Sequence, residues 1–309
     1  MDSIQAKITQ SMDTIKNVIM GQDEAIELLF TALLANGHVL LESVPGSGKT
    51  KLAKSFAQVV VGQYGRVQFT PDVLPGDVTG LQFYNPKTQE FELRVGPVMT
   101  NILLADEINR ATPKTQSSLL EVMEENQTTI DGETFFLDPP FMVIATQNPI
   151  ESNQGTFPLP EAQLDRFLLK INMDYPSLDI EKKILDKYRM DDPLNDITSP
   201  SLLKDEIFIM QEEVKKIRLG ETVTEYLLNI VRQTRQHADI ELGISTRGAL
   251  ALIRGRNYVR PEDVKEMAPY VFAHRLVLSM EASLQKNSGQ VVADILEFIE
   301  VPVEIGERD

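Results

Sequence analysis

Glu42-Ser43-Val44-Pro45-Gly46-Ser47-Gly48-Lys49-Thr50 follows the short apolar run His38–Leu41 and precedes a helical pattern that begins near Lys51. A strand that feeds a helix through a glycine loop is the setting in which main-chain N–H groups can face phosphate oxygens. Gly46 and Gly48 remove side chains from the approach, and the helix N-terminus adds partial positive charge. Lys49 supplies a mobile full charge. Thr50 offers its hydroxyl to Mg²⁺, which a triphosphate brings with it and which keeps most of its waters. Val44, Pro45, Ser47 and Lys51 complete the candidate phosphate contacts. In the pattern G-x-x-x-x-G-K-[ST] the first glycine is replaced by Ser43, so the entry turn has less freedom to use a positive φ. The plain alternative is an ordinary glycine loop before a helix.

Outward from this loop, apolar runs of strand length recur at Val67–Thr70, Ile102–Ala105, Phe141–Thr146 and Leu168–Ile171, and helical stretches separate most of them. That alternation predicts a parallel sheet flanked by helices, an α/β core over residues 1–175. Upstream, Ile4, Ile8, Met12, Ile15 and Ile19 form the stripe of an amphipathic helix that Gly21 ends. A second helix runs from about Asp23 to Ala35, with Asn36-Gly37 as a left-handed cap. After Asp174-Tyr175-Pro176 the strand signals stop. Residues 176–309 read as a smaller all-helical lid domain, broken near Asp192-Pro193, Ser199-Pro200, Gly220, Gly243 and Arg260-Pro261. Two hairpins interrupt the core pattern. Leu81–Tyr84 and Glu90–Arg94 flank Asn85-Pro86-Lys87, and Thr128–Ile130 and Thr134–Leu137 flank Asp131-Gly132. The plain reading of Phe135-Phe136 is that they close the second hairpin against the domain.

The run Ile102–Ala105 ends in Asp106-Glu107, two carboxylates where a buried parallel strand emerges, and ligands of open α/β sheets bind at that edge. Asp106 is assigned to the Mg²⁺ shell and Glu107 to the attacking water. A solvated strand end is the alternative. Phe141–Thr146 leads into Gln147-Asn148-Pro149, where the Asn148 amide could orient the water or sense a γ-phosphate; as a lone feature, Asn-Pro starts a turn.

Gly46–Thr50, Leu103–Arg110, Ala145–Pro149 and Leu159–Phe167, with Gly243–Arg247 in the second domain, together resemble the MoxR branch of the AAA+ ATPases, a P-loop NTPase family close to the magnesium chelatase-like branch. The resemblance spans nearly the whole chain. It implies that Arg166 is the arginine finger reaching a neighbouring subunit, Arg247 the lid arginine called sensor 2 and Asn148 sensor 1. Val18–Gly21, with Gly21 at its end, correspond to the segment that borders adenine. The two hairpins match inserts that face the pore and partner in related rings. Independently, one fixed guanidinium beside a transferring phosphoryl group is worth about 10³–10⁵ in rate, whereas a surface salt bridge is worth at most about 1 kcal/mol. Spacing alone does not choose between them.

Function classes are bounded by composition. The chain has 309 residues, 42% apolar and 25% charged, which suits a soluble globular protein rather than a disordered one. No stretch reaches the roughly 18 uninterrupted apolar residues of a spanning helix, and the first twenty residues are not a signal peptide. Direct membrane insertion is not expected. Without cysteine there is no disulfide, thiol nucleophile or thiolate metal site, which is compatible with the cytoplasm. A net charge of −16 would repel nucleic acid unless basic residues were segregated, and no long Lys/Arg run occurs. The resemblance implies Mg²⁺-dependent ATP hydrolysis by a homo-oligomeric ring, a hexamer, that remodels, assembles or matures a protein partner, such as one with a von Willebrand factor A domain. Competing expectations are a motor subunit for metal insertion, a nucleic-acid translocase and a non-catalytic nucleotide-gated scaffold. Intact Asp106 and Glu107 argue against the last.

Overall fold

The computed structural model describes residues 2–44, 46–60, 63–148, 155–189, 193–197, 200–217, 219–244 and 259–302. Helices α1 (Asp2–Val18) and α2 (Asp23–Leu34) precede strand β1 (His38–Ser43), helix α3 (Lys49–Val59), strand β2 (Tyr64–Gln68) and helix α4 (Pro75–Thr79). Hairpin strands β3 (Gly80–Asn85) and β4 (Glu90–Val95) come next, followed by β5 (Ile102–Asp106) and α5 (Pro113–Glu125). The second hairpin, β6 (Gln127–Ile130) and β7 (Glu133–Phe136), leads to β8 (Met142–Gln147), α6 (Glu161–Leu164), β9 (Phe167–Met173), α7 (Leu178–Tyr188) and α8 (Lys204–Lys215).

The main sheet has the order β2-β5-β8-β1-β9, and its β2/β5, β5/β8 and β8/β1 pairings are parallel. All of β5 and nearly all of β1 and β8 are buried, as unbroken apolar runs require when both faces of a parallel sheet are covered. Phe30 of α2 and Phe56 of α3 meet edge to face, 5.1 Å between centroids. Strand β2 starts at Tyr64 rather than Val67. It is the sheet's edge and only Val67 is buried in it, so the apolar run that would mark its start is missing. Asn36 alone takes the left-handed cap after α2, at φ 52°, while Gly37 N donates to Ala32 O at 2.8 Å.

Both hairpins form. Asp131 and Gly132 have φ of 48° and 90°, the doubly positive turn that fits a two-residue hairpin loop. Phe136 does not close that hairpin against the domain: it is 74% exposed, because strand alternation turns Phe135 and Phe136 to opposite faces and only Phe135 is half-buried. On the first hairpin the register puts Tyr84, Phe91, Leu93 and Val95 on one face, all exposed.

The chain divides into two compact units, Met1–Pro160 with Ile171–Met210, and Glu161–Lys170 with Gln211–Asp309. Segment 171–210 is tied to the first unit by identifiable bonds. Tyr188 Oη donates to Val18 O at 2.9 Å, Ser201 and Leu202 N–H groups donate to Val59 O at 2.9 and 3.1 Å, and the Ser11 and Ser201 hydroxyls lie 2.7 Å apart. In the second unit, helix α9 (Glu221–Gln236) buries Val223, Tyr226, Leu227, Ile230, Val231 and Thr234, spaced by three and one as a core-facing stripe requires. Helices α10 (Pro261–Phe272), α11 (Met280–Ser283) and α12 (Ser288–Phe298) complete its described helical part. The unit also carries a short antiparallel ribbon, β10 (Ile240–Leu242) with β11 (Val277–Leu278), too short to leave a strand pattern in the sequence.

Candidate functional site

Strands β2, β5, β8 and β1 end level with one another. Gln68 pairs with Asp106, Ala105 with Ala145, and Glu42 with Gln147, so the residues that follow share the sheet's carboxyl edge. The glycine loop leaves β1 there. Gly46 and Gly48 have φ of 82° and 88°, and a Cβ at either would meet nothing within 4 Å. The cradle is therefore open, and glycine makes its left-handed turns accessible. Ser43 is the last residue of β1, with extended backbone, so the missing first glycine strains nothing. Buried Ser43 and Ser47 hydroxyls have no hydrogen-bond partner among the described residues, which fits a loop whose polar atoms serve a polar ligand. Val44 O accepts from Ser47 N at 3.4 Å, Thr50 is half-buried in the first turn of α3, and Pro45 lies outside the described residues.

Asp106, 3% exposed, is the hub. Its Oδ1 accepts from Thr146 Oγ1 at 2.7 Å and stands 3.6 Å from Lys49 Nζ, while its Oδ2 accepts from Arg66 Nη2 at 2.9 Å. Glu107 sits in the left-handed region at φ 59° and ψ 49°. For a non-glycine residue that conformation costs about 1–3 kcal/mol and persists only where surroundings enforce it. Here they do: Glu107 N donates to Thr146 Oγ1 at 2.9 Å, and Glu107 O accepts from Arg110 N at 2.9 Å. One threonine hydroxyl thus donates to the first carboxylate and holds the backbone of the second. The Glu107 carboxylate accepts from Gln68 Nε2 at 2.9 Å and lies 3.3 Å from Arg110 Nε. Arg66 Nη2 also donates to Gln68 Oε1 at 2.9 Å, joining both carboxylates to β2.

The structure brings Lys49, Asp106 and Glu107 together, and buried Asn148 directly follows β8 on the same edge. Arg66, Gln68 and Thr146 were not singled out from the sequence. Gly21, at φ 78°, packs so closely on α7 that a Cβ would meet Ile180 at 3.0 Å. Lys51 Nζ stands 3.9 Å above the Tyr188 ring, so that cation faces the aromatic of α7. Arg166 belongs to the second unit. It is half-buried and donates through Nη1 to Ala162 O at 3.0 Å. Arg247 lies outside the described residues, but the approach to it is pinned: Ile244 N donates to Thr234 Oγ1 at 3.1 Å, and Arg235 Nε to Ile244 O at 3.0 Å.

Among the described residues no group of three or more His, Cys, Asp or Glu is placed to hold a metal. Asp106 and Thr50 offer hard oxygens only, which suits an ion that brings its remaining ligands as water and phosphate, as Mg²⁺ does. No helix of the described residues is long and apolar enough to cross a membrane.

Residues 38–169 match the ATPase family associated with various cellular activities, and residues 232–295 match the AAA lid domain. The chain is 44% identical to the protein YeaC of Bacillus subtilis over 98% of its own length and 97% of that protein's. It is 42% identical to Chaperone MoxR1 of Mycobacterium tuberculosis over 93% and 80%. A solved structure of a Cytophaga hutchinsonii protein superposes with a TM-score of 0.88 at 35% identity, covering 97% of this chain and 96% of that one. An open glycine cradle before a helix, a lysine on a strand-end aspartate, a lid unit and this kinship agree: the chain belongs to the MoxR family of AAA+ ATPases.

Proposed function

We propose that the protein works as a hexameric ring in which ATP hydrolysis drives the remodelling, assembly or maturation of a protein partner. The observation that supports this most is the joining of Lys49, Thr146 and the Asp106–Glu107 pair beside the open Gly46–Gly48 cradle. Main-chain amides of 46–50 bind the phosphates, and Lys49, only loosely paired with Asp106 at 3.6 Å, turns to them. Thr50 and Asp106 would hold Mg²⁺, which when bound supplies charge neutralisation at the phosphate oxygens. Glu107 orients the attacking water and takes its proton, and Asn148 fixes that water from the neighbouring strand. Arg166 acts in the site of the adjacent subunit and Arg247 in its own.

The name of the mycobacterial relative, a chaperone, supports a protein partner, and the net charge of −16 speaks against nucleic acid. The resemblance points to a partner carrying a von Willebrand factor A domain, and the cysteine-free chain suits a cytoplasmic setting. The test is the Glu107→Gln form. It should bind ATP, hydrolyse it about 10²–10⁴ times more slowly, and hold one protein partner with ATP that it releases with ADP. Turnover that survives the substitution would move the water-activating role elsewhere. Partner capture indifferent to the nucleotide would remove the remodelling role, and capture of a tetrapyrrole-binding protein would redirect it to metal insertion.

A further inference from the structure

Within the second unit, Arg275 follows α10 and is almost entirely enclosed, its side chain 6% exposed. Its Nε donates to Asp165 Oδ1 at 2.6 Å. Its Nη2 donates to Phe167 O at 2.8 Å and Asp165 O at 3.4 Å, and its Nη1 donates to Leu168 O at 3.3 Å and also to Val271 O. Phe167 O is held a second time, by His274 Nε2 at 3.0 Å. The carbonyls immediately before and after Arg166 therefore converge on one buried guanidinium, 110 residues away along the chain. Between those two fixed points only Arg166 remains, its side chain half-buried and leaning on Ala162 O.

We propose that Arg275 is a positioning residue for Arg166: its rigid fork fixes the backbone on both sides of that residue and so sets where its guanidinium points. This rests on the reading of Arg166 as a group that acts in a neighbouring subunit's site. Arginine is the side chain suited to the task, because five N–H donors in a planar fork can hold several acceptors at once. A lysine there keeps the charge, but its three donors sit on one nitrogen at the end of an unforked chain and cannot reach Asp165 Oδ1, Phe167 O, Leu168 O and Val271 O together. Transferring groups tolerate little misplacement, and an error of about 1 Å costs on the order of 10²-fold in rate.

The experiment is Arg275→Lys in the full chain, alone and in mixed rings. Alone, it should keep its circular dichroism and nucleotide affinity, lose about 10²-fold in kcat and change little in KM. Mixed with Lys49→Ala subunits, which have an intact Arg166 and a dead pocket, it should regain activity, because its own sound pocket then receives a well-placed arginine. Mixed with Arg166→Ala subunits it should not. Full activity alone, recovery with Arg166→Ala, or failure with both partners while Arg166→Ala and Lys49→Ala complement each other would overturn the proposal. If Arg166→Ala and Lys49→Ala fail to complement each other, the reading of Arg166 itself falls, and this inference with it. Should Arg275→Lys not fold, Asp165→Asn, which leaves the guanidinium its carbonyls, must give the same pattern more weakly; activity that resists both mixtures or neither would overturn the proposal again.

Discussion

The two ends of strand β1 treat polarity in opposite ways. At its start, His38 is 8% exposed, its Nε2 lies 3.1 Å from Met123 O and its Nδ1 accepts from Val143 N at 3.0 Å. Both ring nitrogens are matched to main chain, one to a carbonyl of helix α5 and one to an amide of strand β8, and burial holds the imidazole neutral with its pKa pushed down to about 4. At the far end, Glu42 accepts from Gln147 at 2.9 Å, and Lys49, Arg66 and Thr146 all converge on Asp106. There the partners are side chains with rotamers to spare. A closed network stabilises one state, and an exchangeable one leaves its members able to accept a ligand instead.

Lys49→Ala tests the exchangeable end most severely. If the carboxyl edge is built for exchange, nucleotide affinity should fall by roughly 10²-fold or more, the loss of charged bonds to phosphate. The melting temperature of the ligand-free protein should barely move, since Asp106 keeps Arg66 and Thr146. Titration calorimetry and a thermal melt read the two effects. Undiminished affinity would remove the phosphates from this loop. A large fall in melting temperature would mean that the lysine serves the fold.

Thr146→Val is the middle case, because Thr146 belongs to both regimes. It is buried, as His38 is, yet its partners are Asp106 and the strained Glu107 backbone. Valine leaves Glu107 N without its acceptor, which should destabilise the protein by about 1–3 kcal/mol. Turnover should fall by about tenfold, the equivalent of roughly 1.4 kcal/mol, as the water-orienting carboxylate drifts. Thr146→Ser should restore both. If serine restores stability without restoring rate, the hydroxyl supports the strand and does not place Glu107.

Residues whose meaning lies in spacing along the chain were legible in the sequence, and those whose meaning lies in register between strands were not. Gly46, Gly48 and Lys49 act within a few positions of one another, and Asp106-Glu107 announced themselves at the end of an apolar run. Arg66 lies ahead of the run Val67–Thr70 that marks this strand, because the exposed start of an edge strand has no apolar pattern, and only the pairing of β2 with β5 sets Gln68 opposite Asp106. Thr146 ends the apolar run Phe141–Thr146, but its bridging depends on β8 lying beside β5. Ser43 in place of the first glycine is harmless for the same reason. The strand runs through it, so no positive φ is needed. Exposed Phe136 shows the converse limit: two adjacent aromatics on a strand must face opposite ways, and composition cannot say which side meets the core.

The smallest effect tests whether the amino end is as closed as its geometry implies. His38 has an unfolded value of 6.5 and a folded value of about 4. Above the first value both states hold the ring neutral, and pH is without effect. Between the two, the unfolded chain takes up a proton that the folded chain refuses, so stability falls as pH falls, and below about 4 the loss levels off. From about pH 7 to about pH 5.5 this amounts to about 1 kcal/mol. His274 in the second unit, lowered to about 3 by burial and by Arg275, adds a loss of the same sign. His38→Gln, which keeps a donor and an acceptor but cannot titrate, should therefore lose less stability than the parent over that interval in urea unfolding. An unchanged pH slope would mean that the ring protonates in the folded sheet. A fall in ATPase rate at neutral pH would mean that the two ends of β1 are coupled, and the separation between a closed end and an exchangeable one would not hold.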